Sequence, residues 1–166
     1  MQLDKILLFC FLTFTITTVF AQEPTGWIKL QSPTDETLRR LYFVDENNGW
    51  AVSLGGKIIN TTDAGDSWQV QNSMVTSPIV DIFFINPNRG WAITYPSEPP
   101  FGTTILTTSN GGTDWVKDSV FFENEIFSTI HFLDENVGFI GGNGIKKTTN
   151  GGLTWTNSFI EPGGLS

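Results

Sequence analysis

The octet "TTNGGLTW" at Thr148–Trp155 occurs twice more in nearly the same form, as "TTDAGDSW" at Thr61–Trp68 and "TSNGGTDW" at Thr108–Trp115. Its chemistry is that of a turn. Thr61, Thr108 or Thr148 ends a strand, and two residues later Asp63, Asn110 or Asn150 offers an oxygen to the backbone N–H groups of the bend. Gly65, Gly112 or Gly152 supplies backbone freedom. Ser67 or Thr154 can close the hydrogen-bond pattern. The closing Trp68, Trp115 or Trp155 carries a large apolar ring back into the fold, and truncating such a core ring, as in Trp68→Ala, is expected to cost about 3 to 5 kcal/mol.

The flanking sequence repeats as well. "LYFVDENNGWAV" from Leu41, "IFFINPNRGWAI" from Ile82 and "IHFLDENVGFIG" from Ile130 align Phe43, Phe84 and Phe132, then Gly49, Gly90 and Gly138, then Trp50, Trp91 and Phe139. The copies lie about forty residues apart, the spacing of propeller-type repeats. Apolar residues alternate with period 2, which marks strands. The turns "DENNG", "NPNRG" and "DENVG" are expected to supply left-handed positions for tight hairpins. Second strands begin at Trp50, Trp91 and Phe139, third strands cover "KIINT", "TILTT" and "IKKTT", and fourth strands start at Trp68, Trp115 and Trp155. Four antiparallel strands per copy make one propeller blade.

The expected fold is therefore all-β: a β-propeller segment of three four-stranded antiparallel blades, at about 38–73, 79–119 and 127–159, within residues 22–159. "TGWIKLQS", with Trp27, is expected to form an orphan N-terminal strand, leaving the ring incomplete. Residues 160–166 are expected to be a truncated C-terminal tail of a longer protein. Residues 1–21 combine Lys5, an apolar run from Ile6 to Phe20 and a small-residue end at Val19-Phe20-Ala21, which is expected to be a cleaved signal peptide. An uncleaved membrane anchor is the competing reading, but the run is shorter than the ~20 residues of a membrane span; no membrane insertion is expected after cleavage, and the location is expected to be secreted: periplasmic, cell-surface or extracellular. Cys10 lies inside the leader, so the remainder has no disulfide.

A formal charge of −8, with 9 basic against 17 acidic residues, opposes binding to a phosphate backbone. Nucleic acid is therefore not an expected partner.

The octets match the Ser/Thr-x-Asp-x-Gly-x-Thr-Trp pattern and thus resemble the Asp-box, or bacterial neuraminidase repeat. The longer pattern resembles the propeller repeats of the photosystem II stability/assembly factor-like family, over almost all of Trp27 to Trp155. Two octets carry Asn for Asp, and the second carries Asp114 where Ser or Thr is usual. The family likeness implies a propeller, with ligands on the face opposite the octets and, if it extends to function, chaperone-like binding of another protein.

On that opposite face one connection is long: "YPSEPPFG", where the first copy has only "LGG". Tyr95, Glu98 and Phe101 are the candidate partner-binding residues. "SPTDE" and "FFENE" join the same face. A sialidase-type centre needs clustered arginines, a Tyr nucleophile and an acid. Arg39 and Arg40 point to opposite faces of one strand, and Arg89 sits at the octet end, so no catalytic residue is assigned. His131 is expected to pack, and the acidic turns lack the oxygen-rich spacing of a calcium loop. No cofactor or metal is expected. The sequence thus reads as an exported non-enzymatic scaffold for an unidentified protein or glycan. The alternative is the N-terminal part of an exported sialidase-like glycoside hydrolase, with its catalytic blades beyond residue 166.

Overall fold

A computed structural model describes residues 26, 29–95 and 99–158. The expected signal peptide, Trp27, Glu98 and the C-terminal tail lie outside the described residues. Among those described there is no helix. Twelve strands form three four-stranded antiparallel sheets in simple chain order. The first contains β1 (Leu38–Phe43), β2 (Gly49–Ser53), β3 (Ile58–Thr61) and β4 (Gln69–Gln71). The second contains β5 (Ile79–Phe84), β6 (Gly90–Thr94), β7 (Gly102–Thr108) and β8 (Val116–Glu123). The third contains β9 (Phe127–Phe132), β10 (Gly138–Gly142), β11 (Ile145–Thr148) and β12 (Thr156–Asn157). The fourth strands begin one residue after the octet Trp. Residues 29–32 adopt no strand, so the orphan strand expected there is not seen among the described residues; the first sheet already has its four strands without it.

Consecutive sheets pack face to face, with β1 against β5 and β5 against β9. One apolar core lies between the first two sheets, built from Trp50, Val52, Ile58, Ile82, Phe84 and Trp115. A second lies between the next two, built from Trp91, Ile93, Ile105, Phe127, Ile130 and Phe132. The same joint recurs in both. Trp50 of β2 stacks on Phe84 of the next sheet, with ring centroids 3.5 Å apart and planes at 9°, and its indole N–H donates to Gly111 O at 3.1 Å. Trp91 stacks on Phe132 at 3.6 Å and 8° and donates to Gly151 O at 3.0 Å. Each ring therefore couples apolar burial to a polar contact with the following octet. The glycine before the Trp has its own reason: a Cβ at Gly90 would lie 2.5 Å from the Phe84 ring, which crosses that residue in the register Phe84↔Gly90.

Two expectations need correction. First, the turns between first and second strands contain no left-handed residue among the described positions. Asp45 Oδ1 instead accepts from the N–H groups of Asn47 (2.9 Å) and Asn48 (2.7 Å), and Val44 N–H closes the loop onto Asn48 O at 3.0 Å. Asn86 and Asp134 repeat this. A side-chain acceptor replaces the positive-φ route. Second, the octet tryptophans are not equivalent. Trp115 is buried between the first two sheets, whereas Trp68 is half-buried because it faces away from the second sheet, beside Leu30 and Arg39 in an open apolar groove. The 3 to 5 kcal/mol expected for Trp68→Ala therefore belongs to a fully enclosed ring.

Candidate functional site

The octets set one end of the molecule. Thr61 Oγ1 donates to Asp63 Oδ1 (2.7 Å) and accepts from Gly65 N–H (2.9 Å), while Asp63 Oδ1 accepts from Ser67 N–H at 2.9 Å. Asn110 and Asn150 accept equivalently from Asp114 N–H (3.0 Å) and Thr154 N–H (2.9 Å). The partner at the eighth-but-one position follows the donor supply. Asp63 can only accept, and it faces the Ser67 hydroxyl at 2.5 Å. Asn110 can donate, and it faces the Asp114 carboxylate at 2.8 Å. Asn150 Nδ2 donates to Thr154 Oγ1 at 2.9 Å. Thr108 and Thr148 hold Gly112 N–H and Gly152 N–H as Thr61 holds Gly65. Trp68 and Trp155 return their indole N–H to Gly65 O and Gly152 O, but Trp115 donates to Gln71 Oε1 at 3.1 Å.

These turns also account for the perturbed carboxylates. The Ser67 hydroxyl, then that of Thr61, pulls Asp63 from the usual 3.8 to about 2. Backbone N–H groups of Asn48 and Asn47 lower Asp45, and those of Val137 and Asn136 lower Asp134. At the opposite end the Ser53 hydroxyl, assisted by Lys57, lowers Glu36 despite some desolvation.

Along the inner strands, β1, β5 and β9, a buried Asp81 joins all three sheets. It meets Arg40 Nε at 3.0 Å, and its Oδ2 accepts from Ile130 N–H of the third sheet at 2.9 Å. Beside it Tyr42, Phe83 and His131 form a row, with centroids 5.2 and 4.5 Å apart. Tyr42 donates to Phe84 O at 2.9 Å, and burial raises its phenol. His131 lies tilted against Phe83, at 58° between the ring planes, and is exposed overall. The three arginines are dispersed. Arg40 is tied to Asp81, Arg39 lines the open groove, and Arg89 lies 4.6 Å over the Trp91 ring at the octet end. No group of three metal-ligating side chains occurs among the described residues.

The end opposite the octets carries the exposed Phe101 and Phe121. Strands β7 and β8 run seven and eight residues, against four and three for β3 and β4. Gly102, the last residue of "YPSEPPFG", thus opens an extended hairpin. Tyr95 is half-buried, its N–H on Pro78 O at 2.9 Å. Phe101 is exposed, and Glu98 is outside the described residues. Phe121, which the sequence reading did not single out, lies at the same end: its ring is 2.8 Å from where a Gly102 Cβ would be, and it too is exposed. Pairing of β7 with β8 brings it there (Thr104↔Phe121), a signal that needed the strand register. The mount is firm. Asn124 N–H donates to Phe101 O at 2.9 Å, Thr103 Oγ1 bridges Glu125 O and Phe127 N–H, and Glu125 pairs with Lys146 at 2.8 Å.

Sheets in chain order, packed face to face by their inner strands and joined by the following sheet's turn, make an architecture with few alternatives. The fold is that of a partial β-propeller. A Ycf48 structure solved with a D1 peptide bound superposes with a TM-score of 0.64 at 23% identity, covering 78% of this chain and 42% of that one. An ancestral GH74 enzyme superposes with a TM-score of 0.59 at 19% identity, over 73% of this chain and 18% of that one. In sequence, the photosystem II assembly protein Ycf48 of Thermosynechococcus vestitus is 28% identical over 67 residues, 40% of this chain and 19% of that protein. The chain thus spans less than half the length of these relatives. No protein-family profile matches it. At such identities the structural likeness establishes the fold and leaves function to the site.

Proposed function

We propose that this chain serves as an exported, non-catalytic propeller scaffold that holds another protein on the end opposite its octets. One observation carries the reading: Phe101 and Phe121 are both exposed at the same end of a braced hairpin that extends beyond its counterpart in the first sheet. Exposed aromatics on a preorganised mount contribute contact area at low ordering cost. A further point supports it: Ycf48 is described as an assembly protein and has been solved holding a peptide. What the reading takes from Ycf48 is the holding of a polypeptide, not its photosynthetic partner. The test is selection of ligands from a displayed peptide library on the immobilised chain. Selected peptides should bind the Phe101→Ala/Phe121→Ala variant at least about tenfold more weakly; undiminished binding overturns the assignment.

A second reading, part of a glycoside hydrolase, is favoured by the likeness to the GH74 enzyme. Release of reducing sugar from a panel of polysaccharides by the full-length protein would establish it in place of the first.

A further inference from the structure

A groove of 480 Å³ runs between the first and second sheets at the octet end, far along the chain's surface from Phe101. Seven of its fourteen lining residues are Asn or Gln, and none carries a charge, in a chain with 26 charged side chains. Part of this amide content is structural. Gln71 bridges Trp115 N–H and Gly111 O, and Asn110 holds its octet. The side chains of Asn60, Gln69 and Asn88 have no hydrogen-bond partner among the described residues and lie at the surface of the groove.

The repeat supplies an internal control. At the next joint the counterparts of Asn48, Asn60, Gln69 and Gln71 are Arg89, Thr107, Val116 and Asp118, so the architecture does not require amides there. The Arg89 guanidinium lies over Trp91 and reaches Thr108 O at 3.3 Å. At the first joint Asn48 is short and turned back onto Asp45, at 3.0 and 2.9 Å from its two oxygens. The space above Trp50 stays open as a result.

The geometry points to a binding site for a neutral, hydroxyl-rich ligand, a short oligosaccharide, in this groove. Each carboxamide presents donors and an acceptor without charge, which matches sugar hydroxyls that both donate and accept. The hydroxyls of Thr62 and Thr113 extend the same character. A charged ligand finds no counter-ion there. An extended peptide needs apolar pockets for alternate side chains, and the exposed apolar lining is confined to Val70 and Pro87. The volume falls within the range of small-ligand sites. Since no carboxylate lines the groove, the ligand is held without hydrolysis.

The test uses the full chain and four uncharged probes, cellohexaose, maltohexaose, chitohexaose and mannohexaose, by isothermal titration calorimetry. At least one should bind, and Asn60→Ala/Gln69→Ala should weaken it about tenfold or more. Asn48→Arg, which recreates the filled joint of the neighbouring repeat, should abolish binding while unfolding at an unchanged temperature. Phe101→Ala should leave it unaffected, which separates this site from the peptide-holding end. Failure of all four sugars to bind, or undiminished binding by Asn48→Arg, overturns the proposal; so does selective capture of uncharged peptides by the groove.

Discussion

Replacing Trp50 tests whether the indole joint, rather than the octet ring, holds neighbouring sheets together. Its ring is 1% exposed, stacked 3.5 Å from Phe84, and hydrogen-bonded to Gly111 O. Trp50→Ala removes a fully enclosed ring, which costs about 3 to 5 kcal/mol, and a stacked aromatic pair, worth about 0.5 to 1.5 more. The lost hydrogen bond adds little, because Gly111 O still accepts from Gln71 Nε2 at 2.8 Å and so is not left unpaired. The expected loss is about 4 to 6 kcal/mol, a large share of the ~5 to 15 kcal/mol that holds an ordinary domain together. Trp50→Phe keeps the stack and loses the N–H and two ring carbons, for about 1.5 to 3 kcal/mol. Trp68→Ala removes a half-buried ring that touches Phe43 edge-on at 6.1 Å, for about 1 to 2 kcal/mol. Urea unfolding followed by far-UV circular dichroism gives all three values if the slope m is unchanged. A loss for Trp68→Ala equal to or above that for Trp50→Ala would refute the reasoning.

Asp63 is lowered from 3.8 to about 2 in the fold. The unfolded chain therefore binds the proton first, and this contribution, complete above about pH 4, is lost as pH falls toward 2. Asp63→Asn, which copies Asn110 and Asn150, should flatten that part of the acid-unfolding curve with little change at pH 7; an unaltered curve contradicts it. Ala64 sits at φ 60° where the other octets have Gly111 (70°) and Gly151 (73°), so Ala64→Gly should stabilise by about 0.5 to 1 kcal/mol in thermal unfolding; destabilisation counts against it. Asp81→Ala strips Arg40 and Ile130 N–H of their shared partner and should cost about 2 to 4 kcal/mol by urea titration, with Asp81→Asn costing less.

The repeat made most of the fold legible. Phe43, Phe84 and Phe132 with their paired glycines announce the first hairpin, and the octets announce the last. What escaped is what a single copy cannot show. Trp50 and Trp91 align as readily as the octet rings, but that they couple one sheet to the next octet is a contact about sixty residues away in sequence. The different burial of Trp68 and Trp115 follows from what each ring meets on the same side of its sheet: Trp115 meets the first sheet, and Trp68 meets no sheet among the described residues. The site was half visible: the inserted "YPSEPPFG" drew attention to Tyr95, Glu98 and Phe101, while Phe121 entered only through pairing of β7 with β8. Alternation alone does not give that register, because β7 and β8 shift between Thr104 and Leu106.

The indole joints have a direction. The first and second sheets each hand a donor forward to a carbonyl of the next, so a whole repeat of that kind inserted or removed would leave each remaining seam chemically matched, and ring size could drift during evolution without redesign. Phe139 interrupts that grammar. It aligns with Trp50 and Trp91 yet brings no N–H, only a ring under Lys147 at 5.8 Å, so a neighbour meeting that face would be greeted by shape and charge alone.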